Sequence, residues 1–427
     1  MEPQISSLGA LAGLLLAIVL ILRKVHPVYS LMMGSLAGGL LGGNDPVTTV
    51  NCMIAGAGEM MQAVLRILAA GVLVGVMIQT GAANVIAKTL VARAGERWIL
   101  PALAAASMIL TISGIIMDVA VITVAPIALA AGARLNLSRV AILLAMTGGA
   151  KAGNLISLNP NTIILSETMN VPLMKLMLAG VVPALGGFAM ACVLASLLRK
   201  GRERIEEEGA GASGQSDHAT SLAEGDVGFF AALSSPALAM LLLASRSVTG
   251  IPIDPLIALP FGGLAGLCVM RRTRDMTASL QLGMTKMASV SLLMVGTGCL
   301  AGIIESSCLR DSLVNFMGSA GLPGFTLAPL SGILLGCVTA SPIAGVTIAS
   351  SVFGTTLVGM GVPPLASAVM IHSGAMTFDT LPHGSFFHTS ASAVQMELGR
   401  RMVLIPCEML VGLTETALAV LMFMPRQ

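Results

Sequence analysis

The sequence predicts an all-α polytopic membrane protein made of two inverted repeats, each with a helical hairpin and a broken transmembrane helix. Three observations predict it. Of 427 residues, 55% are hydrophobic and only 10% charged, whereas soluble domains carry about 25% charged residues. Apolar segments of membrane-spanning length recur along the whole chain. Two of them, one in each half, are interrupted by proline and polar residues: Lys151 to Thr162 (KAGNLISLNPNT) and His372 to His388 (HSGAMTFDTLPHGSFFH).

Composition also excludes several functions. The net charge of +2 points to no partner class, and nothing suggests nucleic acid. The seven cysteines are scattered through apolar segments without metal-ligand spacing, so no metal and no cofactor is expected. The 48 glycines and 20 prolines suit close helix packing and helix breaks. Aromatic residues, at 3%, are too few for a sugar site of stacked rings. No Gly-Lys-Ser/Thr phosphate loop argues for ATP-driven transport, and no nucleophile elbow supports a hydrolase.

Ile5 to Leu22 is long enough to span, since ~20 apolar residues are needed. It has neither a basic start nor a small-residue cleavage site, so it does not read as a signal peptide. Arg23, Lys24 and His26 place its end inside and the N-terminus outside. Pro27 to Gly43 returns outward. Met53 to Ala87, with Glu59 and Arg66, begins as an amphipathic helix and then crosses, ending inside at Lys88, Arg93 and Arg97. Ile99 to Ala131 is interrupted by TISGIIMD (Thr111 to Asp118) and reads as two antiparallel helices, either a re-entrant hairpin or two full spans.

Arg134 and Arg139 mark the next inner edge. Proline lacks an amide donor and disfavours helix in the residue before it, so a helix entering at Val140 breaks between Asn154 and Asn161. Unwound backbone in a membrane is tolerated only where it is buried in protein or lines a cavity. Secondary transporters hold substrate and coupling ion at such breaks. Leu173 to Leu198 returns to an inner edge at Arg199, Lys200, Arg202 and Arg204.

Residues 201 to 226, polar and aperiodic, read as a cytoplasmic linker between a first repeat (1–200) and a second (227–427). Gly71 and Gly75 align with Gly298 and Gly302, GGAKAGN (Gly148 to Asn154) with SGAMTFD (Ser373 to Asp379), and Thr111 with Thr339. Arg271, Arg272, Arg274, Arg400 and Arg401 are then cytoplasmic, and about seven nominal crossings per half give the halves opposite orientation. The second break holds one Asp, one Pro and three His. It reads either as a polar loop outside the bilayer or as a second site, since intramembrane ionisable groups are functional by default. Asp379 and His383, four apart, share a face on a helical turn and form a candidate proton relay.

NPNT (Asn159 to Thr162) together with DTLPH (Asp379 to His383) resembles the gluconate permease (GntP) family of proton symporters, within the ion-transporter superfamily. Length, the central linker and the hairpin-then-broken-helix order extend the resemblance over nearly the whole chain. It implies uptake of a small hydroxy or sugar acid with protons across the inner (plasma) membrane. The wider superfamily implies a scaffold, a mobile transport part, homodimers and elevator-like movement. The run Gly384 to His388 departs from the family pattern and bears on the substrate.

The expected substrate residues are Asn154, Ser157, Asn159, Asn161 and Thr162 at the first break, Thr377, Asp379 and Thr380 at the second, and Ser113 and Ser341 at the hairpin turns. The two breaks are expected to face each other across one anion site, and Asp379, His383 and Asp118 to couple the proton. The serines and threonines have an alternative role in satisfying helix backbone. Lys151 either neutralises Asp118 or meets a substrate carboxylate. Glu167, Glu305, Glu408 and Glu415 are expected near the membrane interfaces. The function expected is therefore secondary active import of a small organic anion by proton symport. The alternatives are Na+ coupling, an intramembrane enzyme using His383 and Asp379, and a passive channel.

Overall fold

The computed structural model describes residues 5–199, 227–245, 253–309 and 323–424, with Ser312, Asn315 and Ser319 between the last two. The linker expected at 201–226, with Lys200, Arg202 and Arg204, lies outside the described residues. Helices α1 (Ser7–Leu22), α2 (Pro27–Leu41), α3 (Pro46–Glu59), α4 (Met61–Gln79) and α5 (Ala82–Arg93) open the chain. A hairpin of α6 (Ile99–Ile112) and α7 (Met117–Leu135) follows. Then come the interrupted pair α8 (Arg139–Asn154) and α9 (Pro160–Thr168), and α10 (Leu173–Ala179) and α11 (Val181–Leu197). The second half gives α12 (Phe229–Ala244), α13 (Pro255–Val269) and the 30-residue α14 (Met276–Glu305). A second hairpin, α15 (Leu327–Thr339) and α16 (Pro342–Gly359), precedes a second interrupted pair, α17 (Pro364–Ala375) and α18 (Ser385–Ala393). The short α19 (Leu398–Met402) leads into α20 (Ile405–Phe423).

Among the described residues, five helical stretches are long and apolar enough to cross a membrane: Met61–Gln79, Met117–Leu135, Thr273–Glu305, Pro342–Gly359 and Leu398–Phe423. The pair α10 and α11, bent by 45°, makes a sixth when taken as one span. Short of the about seven nominal crossings expected per half, the other apolar helices among the described residues, α1, α2, α12, α13 and the stretch Gly324–Thr339, have 15 or 16 residues. At 1.5 Å per residue these reach only about 24 Å, short of a hydrocarbon core of ~30 Å. The stretch Met53 to Ala87, expected to begin as an amphipathic helix and then cross, runs through three helices: α3 and α4 meet at Met60, and Gly81 turns the chain at φ +73° between α4 and α5.

Local sequence explains the boundaries. Ser138 caps α8, its Oγ accepting from the Ala141 amide at 3.1 Å. Asn159 caps α9, its Oδ1 accepting from the Asn161 amide at 3.0 Å, with Pro160 at the first helical position, where no donor is needed. The second hairpin turns through Ala340 at φ +44°.

Helix α14 lies along α2, α3 and α4. A methyl on Gly71 or on Gly283 would run into the other's backbone, so α4 and α14 meet main chain to main chain. In lipid, where apolar side chains gain little by leaving solvent, such small-residue contacts are what join helices. The hairpins and interrupted helices pack beside this frame and carry the polar interior.

Candidate functional site

The first interruption ends α8 at Asn154 and starts α9 at Pro160. Its polar side chains form a closed network. Asn154 Oδ1 accepts from Asn159 Nδ2 at 2.7 Å and from Asn161 Nδ2 at 2.8 Å. Ser157 Oγ donates to the Asn154 carbonyl at 2.7 Å, and Thr162 Oγ1 reaches the same oxygen at 3.4 Å. Asn161 Oδ1 is buried without a partner among the described residues.

A cavity of about 230 Å³ opens beside this network. Four helices begin on its wall: α7 at Met117 and Asp118, α9 at Pro160 and Asn161, α16 at Ser341 and Pro342, and α18 at Ser385 and Phe386. Each helix start carries about half a positive charge from aligned peptide dipoles. No side chain caps α7 or α18, so their first-turn amides remain donors for a ligand. Lys286, from the middle of α14, lines the same cavity and acts on Asp118 electrostatically. The site thus combines four positive helix ends, one ammonium, one carboxylate and the amide network. A cavity below the ~300–1,000 Å³ of drug-sized sites suits a small acid.

A second polar assembly lies one helical turn away on α8. Lys151 is fully buried, with Nζ 2.5 Å from Asp379 Oδ1. The two form an ion pair between fully buried charges. The ammonium donates to the carbonyls of Met376 at 2.8 Å and Glu408 at 3.3 Å. Arg401, also fully buried, grips Glu408 with two bonds of 2.7 and 2.9 Å and lies 5.1 Å from the Phe387 ring centre. Glu415 is buried beside them with neither carboxyl oxygen bonded among the described residues.

The structure sorts the expected residues. Asn154, Asn159, Asn161, Ser341 and Asp118 line the cavity. Ser157 and Thr162 are buried next to it and satisfy backbone. Ser113 bonds the Ile109 carbonyl of its own helix at 2.7 Å. Thr377 meets Thr416 of α20 at 3.2 Å, and Thr380 is buried.

Several expectations need correction. The second break meets the cavity through Ser385 and Phe386, not through Thr377, Asp379 and Thr380. Lys151 pairs with Asp379 and not with Asp118, because Asp379 supplies the counter-charge a buried ammonium requires. His383 is exposed, and its Nε2 sits 3.1 Å from the carbonyls of Cys337 and Val338, where it caps the end of α15 rather than serving Asp379. Glu408 and Glu415 are fully buried inside the protein, and so is Arg401, against Glu408. Glu167 contacts Arg66, which also holds Asp254 at 2.6 and 3.0 Å, tying the end of α9 to α4 and α13. Asp254 lies outside the spanning segments, and the Arg66 hydrogen bond holds its carboxyl below the usual carboxylate range.

Lys286 is the cavity-lining charge that sequence reading passed over. It is a lone cation in the middle of a long apolar helix, and intramembrane charge is the signal that would have found it.

An all-helical membrane protein with interrupted helices around a central anion-favouring cavity has the build of a transporter. The chain belongs to the GntP permease family, whose model matches residues 5–392. It is 47% identical over 420 residues to an uncharacterized transporter of Haemophilus influenzae, covering 98% of each chain. Over 134 residues, 30% of each chain, it is 32% identical to the high-affinity gluconate transporter of Escherichia coli. The crystal structure of the Alcanivorax borkumensis YdaH transporter matches its fold with a TM-score of 0.66 at 16% identity, covering 96% of this chain and 98% of that one.

Proposed function

We propose that this transporter imports a small hydroxylated organic anion, gluconate or a close chemical relative, by proton symport across the inner (plasma) membrane. The observation that carries this reading is the convergence of four helix starts and Lys286 on one small cavity. The substrate carboxylate accepts from Lys286 and from the uncapped amides of α7 or α18. Substrate hydroxyls donate to Asn161 Oδ1, a buried acceptor with no partner among the described residues, and accept from the asparagine amides. The relative named for gluconate supports the substrate class. The hairpins and interrupted helices move, elevator-like, against the α14 frame, and the working unit is a homodimer.

Proteoliposome uptake of labelled gluconate tests the reading. An inward proton gradient should drive accumulation; dependence on Na+ instead would replace the coupling ion, and product formation without accumulation would indicate an enzyme. Removing a charge-assisted hydrogen bond costs about 1.5–3 kcal/mol, so Lys286→Gln should weaken gluconate binding roughly 10- to 150-fold. Pairing it with Asp118→Asn, which restores neutrality, should not recover affinity. Wild-type affinity in both variants would sink the assignment of the anion site.

A further inference from the structure

The buried assembly behind the cavity has unequal charges. Lys151 and Arg401 supply two positive charges; Asp379, Glu408 and Glu415 supply three negative ones, and all five side chains are fully buried. Arg401 is matched to Glu408 by two bonds and Lys151 to Asp379 by an ion pair. Glu415 is left over. Neither of its oxygens is bonded among the described residues, yet it interacts electrostatically with both Lys151 and Asp379. On the neighbouring α11 it faces Gly187, where any methyl group would run into the carboxyl. On α17, which also packs against α20, the buried titratable group is His372.

We infer that Glu415 is the residue that takes up and releases the transported proton, with the Lys151–Asp379 pair as its fixed electrostatic background. This rests on the proton-symport reading above. An unpaired carboxylate in a low-dielectric interior is costly, and a proton removes that cost. With Glu415 protonated, the assembly is neutral; without the proton it carries one net negative charge. An anion in the cavity then adds a second. Bound anion therefore favours the proton on Glu415, and by reciprocity the proton favours the anion. The connection is short: Lys151 and Asn154 are one turn apart on α8, and the second break carries both Asp379 and the cavity residue Ser385. The proton enters from the water on the high-proton side, binds a Glu415 oxygen, and leaves to water on the other side.

Glu415→Gln fixes the neutral form. In proteoliposomes it should keep exchange of internal for external gluconate and lose accumulation driven by an inward proton gradient. Its gluconate affinity should also lose the pH dependence of the wild type, which for one coupled proton approaches about tenfold per pH unit. Glu415→Asp should restore gradient-driven accumulation. Accumulation by Glu415→Gln at the wild-type level overturns the inference while leaving symport intact. A wild type that ignores the proton gradient instead removes the symport reading, and the inference with it. A measurement on the unaltered protein covers the case in which the glutamine variant does not fold. A hydrophobic carbodiimide, which attacks protonated buried carboxyls, should modify Glu415 and abolish gradient-driven accumulation, with less labelling as pH rises. Loss of accumulation with Glu415 unmodified overturns the inference.

Discussion

The two helix breaks face the same problem and solve it with different chemistry. Each leaves the last carbonyls of its first arm without helical partners, inside the protein where side chains must supply them. At the first break the Asn154 carbonyl is met by the hydroxyls of Ser157 and Thr162, and the flanking amides close on one another. At the second break the Met376 carbonyl is met by the ammonium of Lys151, which comes from α8, the first arm of the other break. The neutral network can sit beside a substrate without repelling or trapping it, and it lines the cavity. The charged contact is sealed off and joins the two halves of the chain. On the function proposed above, recognition belongs to the neutral break and charge storage to the ionic one.

The comparison breaks most visibly at Lys151. Removing one partner of a buried ion pair leaves the other uncompensated, at a cost of about 3–5 kcal/mol. Lys151→Met should therefore lower the midpoint of thermal unfolding in detergent sharply, or abolish recovery of folded protein. Replacing a whole buried pair by neutral groups is often close to neutral in stability. Lys151→Met with Asp379→Asn should then recover most of the loss. Equal instability of the single and double variants would mean that the Met376 and Glu408 carbonyls, rather than Asp379, hold the lysine in place.

At the first break the equivalent disturbance should affect binding more than folding. Asn154→Ala strips the common acceptor from Asn159 and Asn161. Leaving such buried donors unmet costs about 1–3 kcal/mol, or roughly 5- to 150-fold in gluconate affinity if the loss falls on binding. Asn154→Asp sharpens the point: it keeps an acceptor for both amides but places a carboxylate on an anion site. It should fold as well as the wild type and bind gluconate less well than Asn154→Ala. Binding restored by the aspartate would argue against an anionic ligand.

Sequence made the first break legible because its signals are local. Pro160 forces the interruption, and Asn159 is a cap residue placed directly before it. Composition likewise set the membrane class. What stayed hidden depends on contacts far apart in the chain. Lys151 and Asp379 are separated by 228 positions, and only folding decides that the lysine meets this carboxylate rather than Asp118. Lys286 and Asp118 lie on elements that no motif links. Sequence position gives no sign that Glu415 and Arg401 are buried inside the protein: Arg401 is matched there by Glu408, seven residues on across the start of α20, while Glu415 has no bonded partner among the described residues.

The smallest expected effect tests where the ionic break ends. The spacing of Asp379 and His383 suggests a relay, but His383 Nε2 lies 3.1 Å from the carbonyls of Cys337 and Val338 at the close of α15. There the chain turns through Ala340 with positive φ, so those carbonyls lack ordinary helical partners. An imidazole N–H supplies the donor and ties the second break to the second hairpin. One hydrogen bond of this kind is worth about 0.5–1.5 kcal/mol. His383→Ala should therefore lower stability slightly, and His383→Gln, which keeps a donor, should restore part of it. Because His383 serves a helix end rather than Asp379, both variants should leave the shape of the pH profile of gluconate uptake unchanged. A displaced pH profile in His383→Ala, with stability unaltered, would reinstate the histidine as part of the proton path and move the boundary between the ionic and neutral regions out to the hairpin.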